Sequence, residues 1–303
     1  MCTTGISILV SLVCLLWCVG VAAGSEVLWT RADDLAPAGP DDAIASGDLD
    51  GDGDDDVAAI GYGNVHWNTG CPGPPAWNPE EDVLLPLGDC MENSIALGDC
   101  DADGDLDIIH GCYECCSLRM IWNTGDPHEP AWQYGGAIAG DPSGGHYAYA
   151  CLVDLDADGD LDIVGTNASG AISFYENTGT PETPYWIWSE VIPGIGFGPA
   201  QGVMALGDLD GDGDLDIVGG TTSLICWENT GTAQAWSYVR NDGMLSGVTE
   251  PTDHLYGVAL PDVDCDGDCD LLLVGWGAVY LYLNERITPV RSAAWGFIKQ
   301  VFR

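Results

Sequence analysis

The stretch GDLDGDGDLDIVGG, residues 207–220, places an aspartate at every second position from Asp208 to Asp216. Carboxylates this close repel one another at neutral pH, so the loop is costly to fold unless a cation sits among them. Four relatives of the stretch occur in the chain: DLDGDGDDDV from Asp48, DCDADGDLDI from Asp99, DLDADGDLDI from Asp154 and DVDCDGDCDL from Asp262. With Asp208 in fourth place, the first aspartates are spaced by 51, 55, 54 and 54 residues. All five loops share aspartate at positions 1, 3, 5, 7 and 9, glycine at position 6 and an aliphatic residue at position 10.

Two further landmarks keep the same period. Asparagine recurs at Asn68, Asn123, Asn177, Asn229 and Asn284, and Thr-Gly follows it in the first four. Tryptophan comes seven to eleven residues later, at Trp77, Trp132, Trp186, Trp236 and Trp295. Three landmarks in register mark a repeat architecture. Between them the sequence reads as short β-segments with glycine-rich or polar breaks: GVMALGDLD enters the loop at Asp208, and LDIVGG, SLICWENTG and AWSYV follow. AVYLYLN alternates Val279, Leu281 and Leu283 with Tyr280 and Tyr282, as a strand with two different faces does. The predicted fold is all-β, a β-propeller of about five four-stranded antiparallel blades. The predicted units run approximately over 27–76, 77–131, 132–185, 186–235 and 236–294, with a terminal strand at 295–303. A tryptophan at one place in every unit predicts core packing between blades.

The loop chemistry points to calcium, which takes six to eight oxygen ligands, many of them carboxylates. Asp-x-Asp-x-Asp-Gly brings three side chains toward one point. The glycine permits the sharp turn, position 7 offers a backbone carbonyl and the aspartate at position 9 closes the sphere. Bound cation then offsets the repulsion, and its binding energy becomes folding energy. Mg²⁺ is disfavoured because it keeps its waters. An EF-hand would need glutamate at position 12 and a helix beyond it. Position 12 is Ala59, His110, Gly165, Gly219 and Leu273, and strand-like residues follow.

At these loops the sequence resembles the FG-GAP/VCBS-type repeat family, which includes the propeller heads of integrin α subunits. The resemblance implies calcium in the hairpin loop of each blade, about five ions in all. Carried over residue by residue, it implies side-chain ligands Asp48, Asp50, Asp52 and Asp56 in the first loop and Asp99, Asp101, Asp103 and Asp107 in the second. The third would use Asp154, Asp156, Asp158 and Asp162, the fourth Asp208, Asp210, Asp212 and Asp216, and the fifth Asp262, Asp264, Asp266 and Asp270. Asp54, Asp105, Asp160, Asp214 and Asp268, at position 7, would ligate through their backbone carbonyls. The chain departs from the family in two ways: Phe-Gly occurs once, as Phe197-Gly198, and five loops stand where integrin-like heads have seven blades. Both ends carry a Trp-bearing segment, EVLWTRADD and AAWGFIKQVFR, although strand exchange needs only one. The chain is therefore either a five-bladed ring with a spare terminal strand or an incomplete piece of a larger propeller or assembly.

Composition narrows the function. The chain has 303 residues, 46% of them hydrophobic, and a formal net charge of −41 from 48 acidic and seven basic side chains. Nucleic acid is excluded as a partner class, since phosphate binding needs clustered Lys and Arg. Of the 48 acidic residues 26 lie in the five loops, so the charge is mostly site chemistry rather than adaptation to salt. Residues 1–24 carry no charged side chain and end in Ala22-Ala23-Gly24, as a signal peptide does. The alternative for them is an uncleaved membrane anchor. Either places the rest outside the cytoplasm, secreted or at the cell surface. Ten of the thirteen cysteines lie beyond this leader, an even number that fits disulfides in an oxidising compartment.

Other motifs carry less. HGCYECC, with His110, Cys112, Cys115 and Cys116, has no second half for a zinc site and reads as disulfide cysteines. Cys265 and Cys269 occupy non-ligand positions of the fifth loop. GDPSGGH, residues 140–146, reads as an inter-strand turn, and Asn167-Ala168-Ser169 fits a glycosylation sequon. No catalytic motif is visible. The expected function is a calcium-binding binding or adhesion module for a protein or glycan ligand. The alternatives are the body of a lyase-like polysaccharide-active enzyme, which the dearth of Lys and Arg opposes, and a lectin.

Overall fold

In the computed structural model every acidic loop is the bend of a β-hairpin. The structure describes residues 27–32, 43–59, 64–70, 73–80, 93–112, 117–125, 130–138, 147–167, 169–198, 202–232, 234–249, 254–275 and 278–285. Strand β1 (Trp29–Arg31) comes first in the chain. Four antiparallel sheets follow: β2 (Ile44–Gly47), β3 (Asp56–Ala59), β4 (Asn64–Asn68) and β5 (Trp77–Glu80); β6 (Asn93–Gly98), β7 (Asp107–Cys112), β8 (Ser117–Asn123) and β9 (Trp132–Ala137); β10 (Tyr147–Val153), β11 (Asp162–Asn167), β12 (Ala171–Asn177) and β13 (Trp186–Gly196); β14 (Val203–Gly207), β15 (Asp216–Gly220), β16 (Leu224–Asn229) and β17 (Tyr238–Arg240). The fifth sheet contains β18 (Gly257–Ala259), β19 (Leu271–Gly275) and β20 (Ala278–Asn284), with β1 as its fourth strand.

The loop sets the register of the first hairpin. Asp216 pairs with Gly207 and Asp107 with Gly98, and in the first four blades the position-9 aspartate opens the second strand opposite the residue preceding position 1. These second strands read as nearly unbroken apolar runs because both faces are covered. Every residue of β11, β15 and β19 is buried. The core consists of five clusters, each shared by two neighbouring blades. One joins Ala45 and Ala58 to Ile95, Ile108 and Ile121. Another joins Ile44 and Val57 of the first blade to Val263, Leu272 and Leu281 of the last, which closes the ring.

The recurring tryptophans do pack between blades. Trp77 packs on the fifth–first core and Trp132 on the first–second. Trp186 belongs to the second–third core, and Trp236 packs on the third–fourth. In the fourth–fifth core the corresponding side chain is Trp29 and not Trp295. Trp29 pairs with Asn284 in the register that joins Trp77 to Asn68, Trp132 to Asn123 and Trp186 to Asn177. Its Nε1–H donates to the Met244 carbonyl at 2.7 Å. The amino-terminal segment is thus the exchanged strand, and each sheet ends on the strand that opens the next sequence unit. Residues 1–24, expected to form a leader, and 295–303, expected to form a terminal strand, lie outside the described residues. Trp29→Ala should cost about 3–5 kcal/mol in denaturant unfolding. The exposed Tyr134→Ala serves as the comparison and should cost a small fraction of that.

Candidate metal centres

The backbone of each loop is wound so that its amides face its own carboxylates. In the fourth loop the Gly213 N–H donates to Asp208 Oδ2 at 3.0 Å, and the Asp212 N–H donates to Asp208 Oδ1 at 3.1 Å and Asp210 Oδ1 at 3.2 Å. The position-6 glycine has φ of 97° there, in the left-handed region. Position 4 is left-handed too, and this explains its restriction to small residues. Ala102, Ala157 and Cys265 sit at φ 57°, 59° and 58° where the other two loops have Gly51 and Gly211. An L-residue pays about 1–2 kcal/mol for this conformation. Ala157→Gly should accordingly raise the unfolding free energy by up to about 1 kcal/mol, measured by urea denaturation.

Positions 1, 3 and 9 converge. In every loop one oxygen from each lies within 4.8 Å of the others: Asp48, Asp50 and Asp56; Asp99, Asp101 and Asp107; Asp154, Asp156 and Asp162; Asp208, Asp210 and Asp216; Asp262, Asp264 and Asp270. The position-9 member is buried and fixed at both oxygens. Asp216 Oδ2 accepts the Leu209 N–H at 3.1 Å and Oδ1 accepts the Asn229 N–H at 2.8 Å. The same pair of bonds recurs at Asp56, Asp107, Asp162 and Asp270. Burial pushes the carboxyls of Asp56, Asp107, Asp162 and Asp216 up to about 7 and that of Asp270 to about 8.

The residues present fit a divalent cation. Oδ1 of Asp48 and of Asp101 are hidden from water without a hydrogen-bond partner. A buried, unbonded carboxylate oxygen is expensive, and a coordinated ion removes the expense.

Position 5 does not join the triad. Asp52, Asp103, Asp158, Asp212 and Asp266 each accept the N–H of the position-7 residue, at 3.0–3.3 Å. Position 7 holds the feature that sequence reasoning missed. Its side chain is buried in several loops, and Oδ1 of Asp105, Oδ1 of Asp160 and both oxygens of Asp268 lack a hydrogen-bond partner. Burial, then the adjoining position-5 carboxylate, pushes Asp105 to about 7, Asp160 to about 6 and Asp268 to about 9. One signal was available: a ligand acting through its backbone carbonyl needs no particular side chain, yet position 7 is aspartate in all five loops.

The recurring asparagine ties each metal loop to the outer hairpin. While the Asn229 N–H bonds Asp216, its own Oδ1 accepts from Gly231 N at 3.1 Å and Ser237 N at 3.0 Å. The glycine of Asn-Thr-Gly is needed because a Cβ on Gly231 would collide with the Ala235 carbonyl. Asn229→Ala leaves buried amides unpaired and should cost about 1–3 kcal/mol. It should also weaken metal binding at the fourth loop alone, as read by metal titration.

Among the described cysteines most are unpaired. Cys100, Cys151, Cys226 and Cys269 are free thiols. Cys100 and Cys226 are buried in separate inter-blade cores, where thiols pack as small apolar side chains. Cys265 is disulfide-bonded, so the two cysteines of the fifth loop do not bridge each other. His110 is buried on β7, and burial with the nearby Arg119 lowers it to about 4. The side chains of Cys112, Cys115 and Cys116 and the stretch 140–146 fall outside the described residues. Asn167 of the sequon is 7% exposed, and its Oδ1 closes a turn by accepting from Ser169 N at 3.0 Å and Ala171 N at 3.1 Å.

Comparison with known proteins follows the loops. Residues 48–110 and 154–219 match the FG-GAP-like repeat family, and these two stretches hold the first four acidic loops. No curated protein matches the chain in sequence. Among solved structures, a chain of the Tc holotoxin pore of Photorhabdus luminescens aligns over 85% of this chain and 14% of its own length, at 16% identity and TM-score 0.45. AofleA of Arthrobotrys oligospora aligns over 87% of this chain and 86% of its own, at 13% identity and TM-score 0.42. Raptor of Chaetomium thermophilum aligns over 88% of this chain and 22% of its own, at 11% identity and TM-score 0.33. The chain thus spans a small part of the toxin chain.

Proposed function

We propose that this chain, a β-propeller built of FG-GAP-like repeats, is an extracytoplasmic calcium-binding module that recognises a protein or glycan ligand rather than transforming one. The observation that carries the reading is the fivefold convergence of three carboxylates at the same place in every blade. Calcium suits such a site because it accepts many oxygens in flexible geometry, whereas Mg²⁺ demands an octahedron and its own waters. One ion per loop would neutralise part of an otherwise self-repelling face and hold the loops rigid for recognition. The charge-free leader at 1–24 supports a setting outside the cytoplasm, where calcium is plentiful and loosely binding sites fill.

Metal analysis of the purified chain after dialysis against calcium tests the first half of the reading. About five ions per chain are expected, and Asp210→Ala should remove one of them. The absence of bound calcium in well-folded protein would refute it. Capture of extracellular matrix proteins or arrayed glycans, with and without chelator, tests the second half. Retention should require calcium. Turnover of a captured polysaccharide would replace the binding role with an enzymatic one.

A further inference from the structure

Three hydrogen bonds cross the closing seam of the ring, between the first blade and the opening residues of the fifth acidic loop. The Asn68 Nδ2–H donates to the Val263 carbonyl at 2.7 Å, and the Gly73 N–H donates to the Asp264 carbonyl at 3.1 Å. In the other direction the Asp262 N–H donates to Asp55 Oδ2 at 3.1 Å. Positions 1, 2 and 3 of the fifth loop are thus each held from the far end of the chain. Position 4, Cys265, is disulfide-bonded. The third loop receives one cross-blade bond, from the Trp236 Nε1–H to the Leu155 carbonyl at 2.9 Å.

Asp55 sets this seam apart. It stands at position 8 of its loop, where the other loops have Leu106, Leu161, Leu215 and Cys269. Those apolar side chains pack on the blade before them: a Cβ on Gly47, Gly98 or Gly207 would meet Leu106, Leu161 or Cys269 at 2.8–3.0 Å. In the same register the first blade meets Pro261, and the Asp55 carboxylate takes the amide that follows it. Asn68 differs from its counterparts too. Asn177 Nδ2 has no partner, and Asn284 turns its own to the Cys269 carbonyl of its own blade. The fifth loop also has the most to gain from an ion, since both carboxylate oxygens of Asp268 are buried and unbonded.

We infer that Asp55 and Asn68 are positioning residues of the fifth metal centre, which hold the backbone of Asp262, Val263 and Asp264 in place from the first blade. Asp262 and Asp264 form the triad with Asp270. A backbone pinned at 262–264 keeps their carboxylates converged before an ion arrives, so less ordering opposes binding. The fifth loop therefore fills at lower calcium than the others. Linkage makes the effect mutual: calcium in the fifth loop strengthens the seam between the first and last blades by the same factor. Five chemically similar loops thus have unequal roles, and the one at the closing seam is a calcium-dependent clasp of the ring. The inference rests on the calcium reading of the loops.

Hydrogen exchange of the intact protein, mapped by peptide through a calcium titration, reads each loop separately. In the wild type, residues 262–270 should gain half their protection at lower free calcium than residues 208–216. Asp55→Leu installs the residue that three other loops carry. It should raise the fifth-loop midpoint about tenfold, the order of one hydrogen bond to a charged group, and leave the fourth where it was. Asp55→Asn loses the same charge but keeps an acceptor for the Asp262 N–H, and should stay close to wild type. Asn68→Asp guards against an Asp55→Leu variant that fails to fold. It keeps the acceptor for the Gly70 and Ala76 amides and gives up the donor to Val263. It too should raise the fifth-loop midpoint, although its added charge alone would lower it. The inference is overturned by a wild-type fifth loop that fills no earlier than the fourth, or by a fifth-loop midpoint unmoved in Asp55→Leu or Asn68→Asp. Equal shifts in Asp55→Leu and Asp55→Asn, a shift in step with the fourth loop, or one confined to residues 48–56 would also overturn it. Wild-type loops with no calcium-dependent protection at all would sink the calcium reading and this inference with it.

Discussion

Stripping calcium from this protein should lower its melting temperature by tens of degrees. Five triads of carboxylates converge within 4.8 Å, and several loop oxygens are buried without a partner. A ligand at one hundred times its dissociation constant stabilises by about 2.7 kcal/mol per site. Five such contributions come to about 13 kcal/mol, comparable with the roughly 5–15 kcal/mol that holds an ordinary domain together. The check is a pair of thermal melts, one in millimolar calcium and one in excess EDTA. Coincident curves would show that the loops fold without an ion. Asp210→Ala should lose a fraction of the calcium-dependent increment and keep the rest.

The second large effect is an inversion of pH dependence by the metal. Burial holds the position-9 carboxyls at about 7 in four loops and about 8 at Asp270, against an ordinary value of 3.8. A carboxyl whose folded pKa exceeds its unfolded one favours the folded state when protonated. Its contribution is fully present below pH 4 and is lost as pH rises through 7 to 8. Metal-free protein should therefore melt higher at pH 5 than at pH 8. Calcium needs the same groups ionised, so its affinity should rise over that window with release of protons. In calcium the order should reverse, with pH 8 the more stable condition. Melts at the two pH values, each with EDTA and with calcium, give four numbers. Parallel pH trends in the two series would contradict the assignment of these aspartates as the ion's ligands.

Much of this molecule was legible in its chain. The period, the hairpin at each acidic loop, the glycine turn at position 6 and the inter-blade tryptophans all follow from local chemistry repeated five times. Local chemistry is legible because its causes lie within about ten residues. Position 4 shows the limit. Its small residues were visible, and their left-handed backbone at Ala102 and Ala157 appeared only with the coordinates. The burial of the position-7 side chains stayed hidden for a related reason. Spacing tells which carboxylates are near one another, whereas burial decides which of them lose water.

The sequence by itself determined the repeat, the strand-rich class and the convergence of acidic side chains at each loop, because each arises inside one unit. Only the tertiary structure decided how the ring closes. Two Trp-bearing segments, one at each end, compete for one edge of β20, and nothing local distinguishes them. The choice of Trp29 depends on the core between the fourth and fifth blades, where Leu224, Met244 and Tyr282 meet it, and such a core exists only once distant blades have come together.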